Sequence, residues 1–189
     1  SPADLADAYL RARGLDIKGL RLRNHRGNWL RYGGKIYGTV PKEELTADIM
    51  TYLRSTPARD RATPHTLSSI LANLTAPCLV PSSTELPARR EGSSWVTCQN
   101  LVTVENGILD LAAVRKGSDT QVISPHSPDL VSTVLLPYAY DPTAQCPRWI
   151  RLLDEIFPDE GSRQLLQQIF GYCLTFDTSM QKFFVFIGT

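Results

Sequence analysis

Apolar positions change period several times along this chain, and each change marks an element. Leu5, Ala8, Tyr9 and Ala12 recur at helical spacing behind Asp4 and Asp7, predicting a helix over residues 3–13 that Gly14 ends. Leu20-Arg21-Leu22-Arg23 then alternates with period two, and Arg26-Gly27-Asn28 signals a turn. Trp29-Leu30-Arg31-Tyr32 reads as a second strand, Gly33-Gly34 as a two-residue hairpin loop, and Lys35-Ile36-Tyr37 as the start of a third strand. Residues 20–40 are therefore expected to form a three-stranded antiparallel meander. Two helices follow. One carries Leu45, Ile49, Met50 and Leu53 between Pro41 and Ser55; the other opens at Pro64 and carries Leu67, Ile70, Leu71 and Leu74. Residues 81–94, rich in Pro, Ser, Arg and Glu, read as a surface loop.

The second half is strand-rich first and helical later. Trp95 to Val104 reads as extended, and Asn106-Gly107 as a hairpin turn before Ile108-Leu109-Asp110-Leu111. Val122-Ile123 and Val131 to Leu136 are further candidate strands, separated by a Pro-rich stretch that excludes regular structure. From Pro147 the apolar residues Trp149, Leu152, Leu153, Ile156 and Phe157 form a helical stripe, which Pro158 breaks. A second helix, residues 159–174, is expected to bury Leu165, Leu166, Ile169, Phe170 and Cys173. The chain closes on Phe183-Phe184-Val185-Phe186-Ile187 and then Gly188-Thr189, which reads as a buried parallel strand meeting a glycine turn. That pattern suits an ordinary core strand or the strand that leads into a phosphate loop. The fold class is α+β: a β-meander with packed helices (1–94), a strand-rich middle (95–146), and a helix–helix–strand segment (147–189).

Composition narrows the function classes. The 189 residues, 42% hydrophobic and 21% charged, have the balance of an ordinary globular protein. No apolar run approaches the roughly 18 residues that span a bilayer, so no membrane partner is expected. Cys78, Cys98, Cys146 and Cys173 are too irregularly spaced for a zinc site and read as reduced thiols of a cytoplasmic protein. Net charge is only +1, but it is uneven. Arg11, Arg13, Lys18, Arg21, Arg23, Arg26, Arg31 and Lys35 are opposed by Asp16 alone, whereas from His65 onward acids outnumber bases 12 to 8. A basic first quarter points to a local polyanion contact.

No catalytic or metal site emerges. His25, His65 and His126 lie far apart, His126 sits in a turn of Ser and Asp beside prolines, and Asp154/Glu155 and Asp159/Glu160 flank a helix break. The meander carries the binding candidates Arg21, Arg23, Arg26, Trp29, Arg31 and Lys35, because bases contact phosphates and aromatics stack on unpaired bases. The same residues also suit a solubilised edge strand over an aromatic core. The two central helices with the 81–94 stretch leave open a winged-helix regulator built on residues 41–104, although the second helix offers almost no bases for a groove. A protein–protein docking module is the third alternative.

Three stretches in order carry a resemblance. They are Val104-Glu105-Asn106-Gly107-Ile108-Leu109-Asp110-Leu111; Leu136-Pro137-Tyr138-Ala139-Tyr140-Asp141-Pro142 with Cys146-Pro147-Arg148-Trp149; and Phe170-Gly171-Tyr172-Cys173-Leu174-Thr175 with Gln181-Lys182-Phe183-Phe184. Together they resemble the region preceding the ATPase core in phage, plasmid and poxvirus primase–helicases of helicase superfamily 3, whose motor is of the AAA+ type. The similarity is clearest over residues 95–189. It implies a parent that unwinds DNA with ATP and magnesium as a ring, usually a hexamer. Gly188 and Thr189 would be the first positions of an incomplete Walker A loop. The chain itself is then expected to bind no cofactor and to catalyse nothing. Its role would be that of an accessory collar or linker that supports ring assembly and guides DNA, single-stranded and without sequence preference.

Overall fold

The computed structural model describes residues 1–15, 19–117, 121–157, 159–185 and 187. Its first elements are α1 (Pro2–Ala12), β1 (Leu22–His25), β2 (Asn28–Tyr32), β3 (Tyr37–Val40), α2 (Lys42–Arg54), a short 3-10 turn (Arg59–Arg61), α3 (Pro64–Cys78) and β4 (Leu79–Val80). There follow β5 (Ala88–Glu91), β6 (Ser94–Thr97), β7 (Leu101–Val104), β8 (Gly107–Asp110), α4 (Leu111–Lys116), β9 (Ile123–Ser124), β10 (Leu130–Val131), α5 (Pro147–Ile156) and α6 (Glu160–Cys173). The class is α+β, as expected. The chain forms two compact units, one from Ser1–Cys98 with Pro125–Leu135, the other from Gln99–Ser124 with Leu136–Thr189.

In the first unit the expected meander forms and gains a fourth strand, giving the order β3-β2-β1-β4 with β4 parallel to β1. The loop assignments exchange. The two-residue turn is Arg26-Gly27, with φ of 51° and 81°, between the paired His25 and Asn28. Positive φ at both positions is the type I′ geometry that matches strand twist. Gly33-Gly34 instead opens a four-residue loop, because Tyr32 pairs with Tyr37 and the Gly33 amide closes on the Ile36 carbonyl at 2.9 Å.

Both faces of this sheet are covered. One face gives Leu22 and Trp29 to a core with Tyr9 and Leu10 of α1, Leu45, Ile49 and Leu53 of α2, and Leu67, Ile70 and Leu74 of α3. The other face gives Leu30, Tyr32 and Tyr37 to a second core with Val80 and Val131, against which Leu86 and Trp95 pack. That second cover is a three-stranded sheet, β10-β5-β6. Its hairpin arises where the sequence suggested a loop: Ala88 to Glu91 pairs with Ser94 to Thr97 across Gly92. Charged side chains on three of the four β5 positions hid the alternation.

The second unit is built on β7-β8-β9. Its core comprises Val102, Val104 and Leu109, with Leu111, Ile123, Leu136 and Tyr140 packed against it. The strand does not continue past Asp110: the Asp110 carboxylate accepts the Ala112 and Ala113 amides at 2.8 and 3.1 Å and so starts α4, which Gly117 ends. Gly107 is required by β9, since a Cβ there would lie 2.4 Å from the Ser124 carbonyl. Beyond β10 the expected long strand is absent, and Leu136 to Tyr140 runs beside β7 instead.

Helices α5 and α6 form as the periodicity predicts, but the expected burial fails. Leu153 is buried, whereas Leu165 is 58% and Phe170 50% exposed, with Leu166 and Ile169 only partly covered. The two helices touch through an edge-to-face contact of Trp149 with Phe170, ring centres 5.2 Å apart, and an Arg163–Asp154 ion pair. The terminal strand is a second correction. Phe183, Phe184 and Val185 are exposed and join no ladder, because no described strand lies beside them to supply hydrogen bonds.

Candidate nucleic-acid interface

Strand geometry disperses the six residues singled out in the meander. Side chains alternate between faces, and Arg31 pairs across the ladder with Leu22, so it emerges on the face opposite Arg21 and Arg23. There it meets α1 and α2. Asp48 of α2 accepts the Tyr9 hydroxyl at 2.7 Å and Arg13 at 2.5 Å, and its second contact with a cation is Arg31 at 3.5 Å. The network locks two helices to the sheet. Burial, reinforced by the Asp48 carboxylate, drives the Tyr9 hydroxyl well above its usual pKa.

The others fall at separate places. Trp29 is 5% exposed and belongs to the helical core, where no base can reach its ring. Arg26 sits in the β1–β2 turn, donating to the Ser82 carbonyl at 3.0 Å and pairing with Glu85 at 2.5 Å. Lys35 lies exposed in the β2–β3 loop at the other end of the strands. Gly188 and Thr189 lie outside the described residues.

Arg21 and Arg23 do share a face, and there each guanidinium lies against an aromatic ring. Arg21 Cζ is 5.9 Å from the centre of Tyr32, and Arg23 Cζ is 5.3 Å from the centre of Trp95. Arg23 is only 5% exposed. In the sequence Trp95 marks only the start of an extended stretch. The one signal that could have found it is Gly92-Ser93, a glycine turn directly ahead of Ser94-Trp95-Val96-Thr97.

Other candidate chemistry resolves into structure. The buried His25 donates from Nε2 to the Thr84 carbonyl at 2.9 Å. Asp159 caps α6 by accepting the Ser162 amide at 2.8 Å, which lowers its carboxyl pKa. Burial pushes the Cys78 thiol up to about 12. Among the described residues no His, Cys, Asp or Glu cluster could hold a metal ion, and no helix is long and apolar enough to cross a membrane. The outward positions of α3, among them His65, Ser68, Ala72, Asn73 and Ala76, carry no Lys or Arg.

The first two stretches that carried the resemblance turn out to be zipped together. The Leu136 amide donates to the Thr103 carbonyl at 2.9 Å and the Glu105 amide to the Tyr138 carbonyl at 3.0 Å. Asn106 completes the zipper with its side chain, donating to the Tyr140 carbonyl and accepting the Tyr140 amide, each at 2.9 Å. Its carboxamide thus stands in for a peptide group, which gives the spacing of those stretches a physical reason. Compared with known families, residues 9–158, more than half of the chain, match the family described as D5 N terminal like. No curated protein matches the chain.

Proposed function

The chain belongs to the D5 N-terminal-like family, the N-terminal region of D5-type primase–helicases of phages, plasmids and poxviruses, and from that premise we propose that it is a non-catalytic collar or linker of an ATP-driven replicative helicase. In this reading it supports assembly of a ring, hexameric in the parent, and guides single-stranded DNA toward an AAA+ motor of superfamily 3. ATP and magnesium belong to that motor, whose phosphate loop would begin at Gly188 and Thr189. A cytoplasmic setting is part of the same proposal.

The observation that supports it best is the uncovered stripe of α5 and α6. Amphipathic helices gain their stability mainly by burying the apolar face, yet Ile150, Ile156, Leu165 and Phe170 face solvent. An exposed apolar surface of this kind marks an interaction site, and in this family setting a neighbouring subunit or the motor is its natural cover.

Sedimentation velocity over a concentration series tests the assembly role. Association that Leu165→Asp and Phe170→Asp abolish is the expected result. Monomers at every concentration, with no binding of oligothymidylate, would refute both halves of the proposal. A winged-helix regulator would instead bind one duplex sequence in preference to others, and a docking module would bind no DNA.

A further inference from the structure

Arg23 is a cation held inside the protein, and among the described residues no carboxylate pairs with it. Its Nε has no hydrogen-bond partner, nor has the Nε of Arg21. Among the described residues no acid forms an ion pair with either. The compensation present is soft: the Trp95 ring face and the Tyr37 hydroxyl, which donates onward to the Pro128 carbonyl at 2.6 Å. Asp129 faces Tyr37 but is exposed and engaged with the Ser127 hydroxyl at 3.0 Å. A buried charge lacking a counter-ion is costly, and its field is poorly screened by solvent.

The neighbours of Arg23 extend this charge to the surface. Arg21 is two residues back on the same strand face, about 7 Å away by strand rise, and is partly exposed. Trp95 is half-buried and pairs directly across β5–β6 with Arg90, so both lie on one face of the hairpin. Arg90 is exposed, its Nε donating to the Gly92 carbonyl at 3.1 Å. Arg21, Arg23, Trp95 and Arg90 therefore form one continuous series of neighbours within the first unit. The acid of the hairpin strand, Glu91, alternates to its other face and pairs there with Arg89 at 2.7 Å.

We infer that this series is a seat for one stretch of single-stranded DNA, with Arg21 and Arg90 contacting phosphates, the Trp95 edge meeting a base, and Arg23 supplying uncompensated positive charge from behind. The inference rests on the DNA-guiding role proposed above and gives it a location. It replaces the dispersed patch of the meander with a site shared between the meander and the β5–β6 hairpin. Guanidinium groups laid on rings are pre-oriented for phosphate, and the Trp95 edge offers an edge-to-face contact to the face of a base.

Fluorescence anisotropy with labelled oligothymidylate, read across a salt series on the full chain, tests it. Arg21→Gln with Arg90→Gln should weaken binding about tenfold, as expected for lost charge-assisted contacts, and flatten the salt slope by about 1.4. Arg115→Gln with Lys116→Gln on α4 removes the same two charges elsewhere and should change affinity less than twofold. Arg23→Leu risks the fold, so the Arg23 Nε–H resonance of the wild-type chain is followed instead and should shift when the oligonucleotide is added. If the wild type binds but the double variant and the resonance are unmoved, this site is wrong while the DNA-guiding role stands. If the wild type does not bind, both fall.

Discussion

Leu45, Ile49 and Leu53 of α2 recur at the same spacing as Leu165, Ile169 and Cys173 of α6. The first three are fully buried, while none of the second three is. Periodicity specifies a helix and the face that would be buried; it says nothing about whether anything arrives to bury it. In the first unit α1, α3 and a sheet arrive. In the second, α5 and α6 meet each other at one aromatic contact and one ion pair.

That contrast can be broken most directly in the core. Leu74→Ala on α3 should cost about 2–5 kcal/mol in urea unfolding, whereas Leu165→Ala should change little; equal losses would mean that α6 is covered in solution. Next in size, Asp48→Ala removes the acceptor shared by Tyr9, Arg13 and Arg31 and should cost roughly 2–3 kcal/mol by leaving polar groups unpaired. Hydrogen exchange would place that loss in α1, α2 and β2.

Alkaline pH sharpens the comparison in a different way. Burial raises Cys78 from 9.0 and Tyr37 from 10.0, each to about 12. Groups with raised native pKa bind protons more tightly in the fold, so the stability these two contribute is level below pH 9. It then falls toward pH 12 by up to roughly 1.4 kcal/mol per pH unit for each group. Because burial also raises the Cys98 thiol, Cys78→Ala should make the fall above pH 9 shallower rather than remove it, which a series of thermal melts would read; an unchanged slope would show that the Cys78 thiol is solvated. Smallest of all, Asp110→Ala should lose about 1 kcal/mol through the α4 cap, seen as faster exchange at Ala112 and Ala113.

How legible this was from sequence follows the same physics. Elements that depend on local spacing were readable: the meander, α2, α3, α5 and α6. Elements defined by a distant partner were not. The β5–β6 hairpin depends on β10 and on the meander's second face, and β4 exists because it lies beside β1. The dispersal of the six candidate residues was hidden for a related reason. Arg21 and Arg31 are close in sequence, but pairing with Leu22 sends Arg31 to the opposite face. Trp95, distant in sequence, is the residue that meets Arg23.

The first unit is discontinuous, and this has a consequence for its synthesis. Tyr37 and Val80 belong to the core that Val131 of β10 completes, and the Tyr37 amide donates to the Ser132 carbonyl at 2.8 Å. A nascent chain emerging from the ribosome cannot finish that core when residue 98 appears; residues 99–124 must be extruded first. The earlier residues wait with Tyr37 unroofed, and chaperone binding or off-pathway pairing is most probable in that interval. Transposing residues 125–135 to follow residue 98 directly would shorten the wait and make the timing of synthesis measurable.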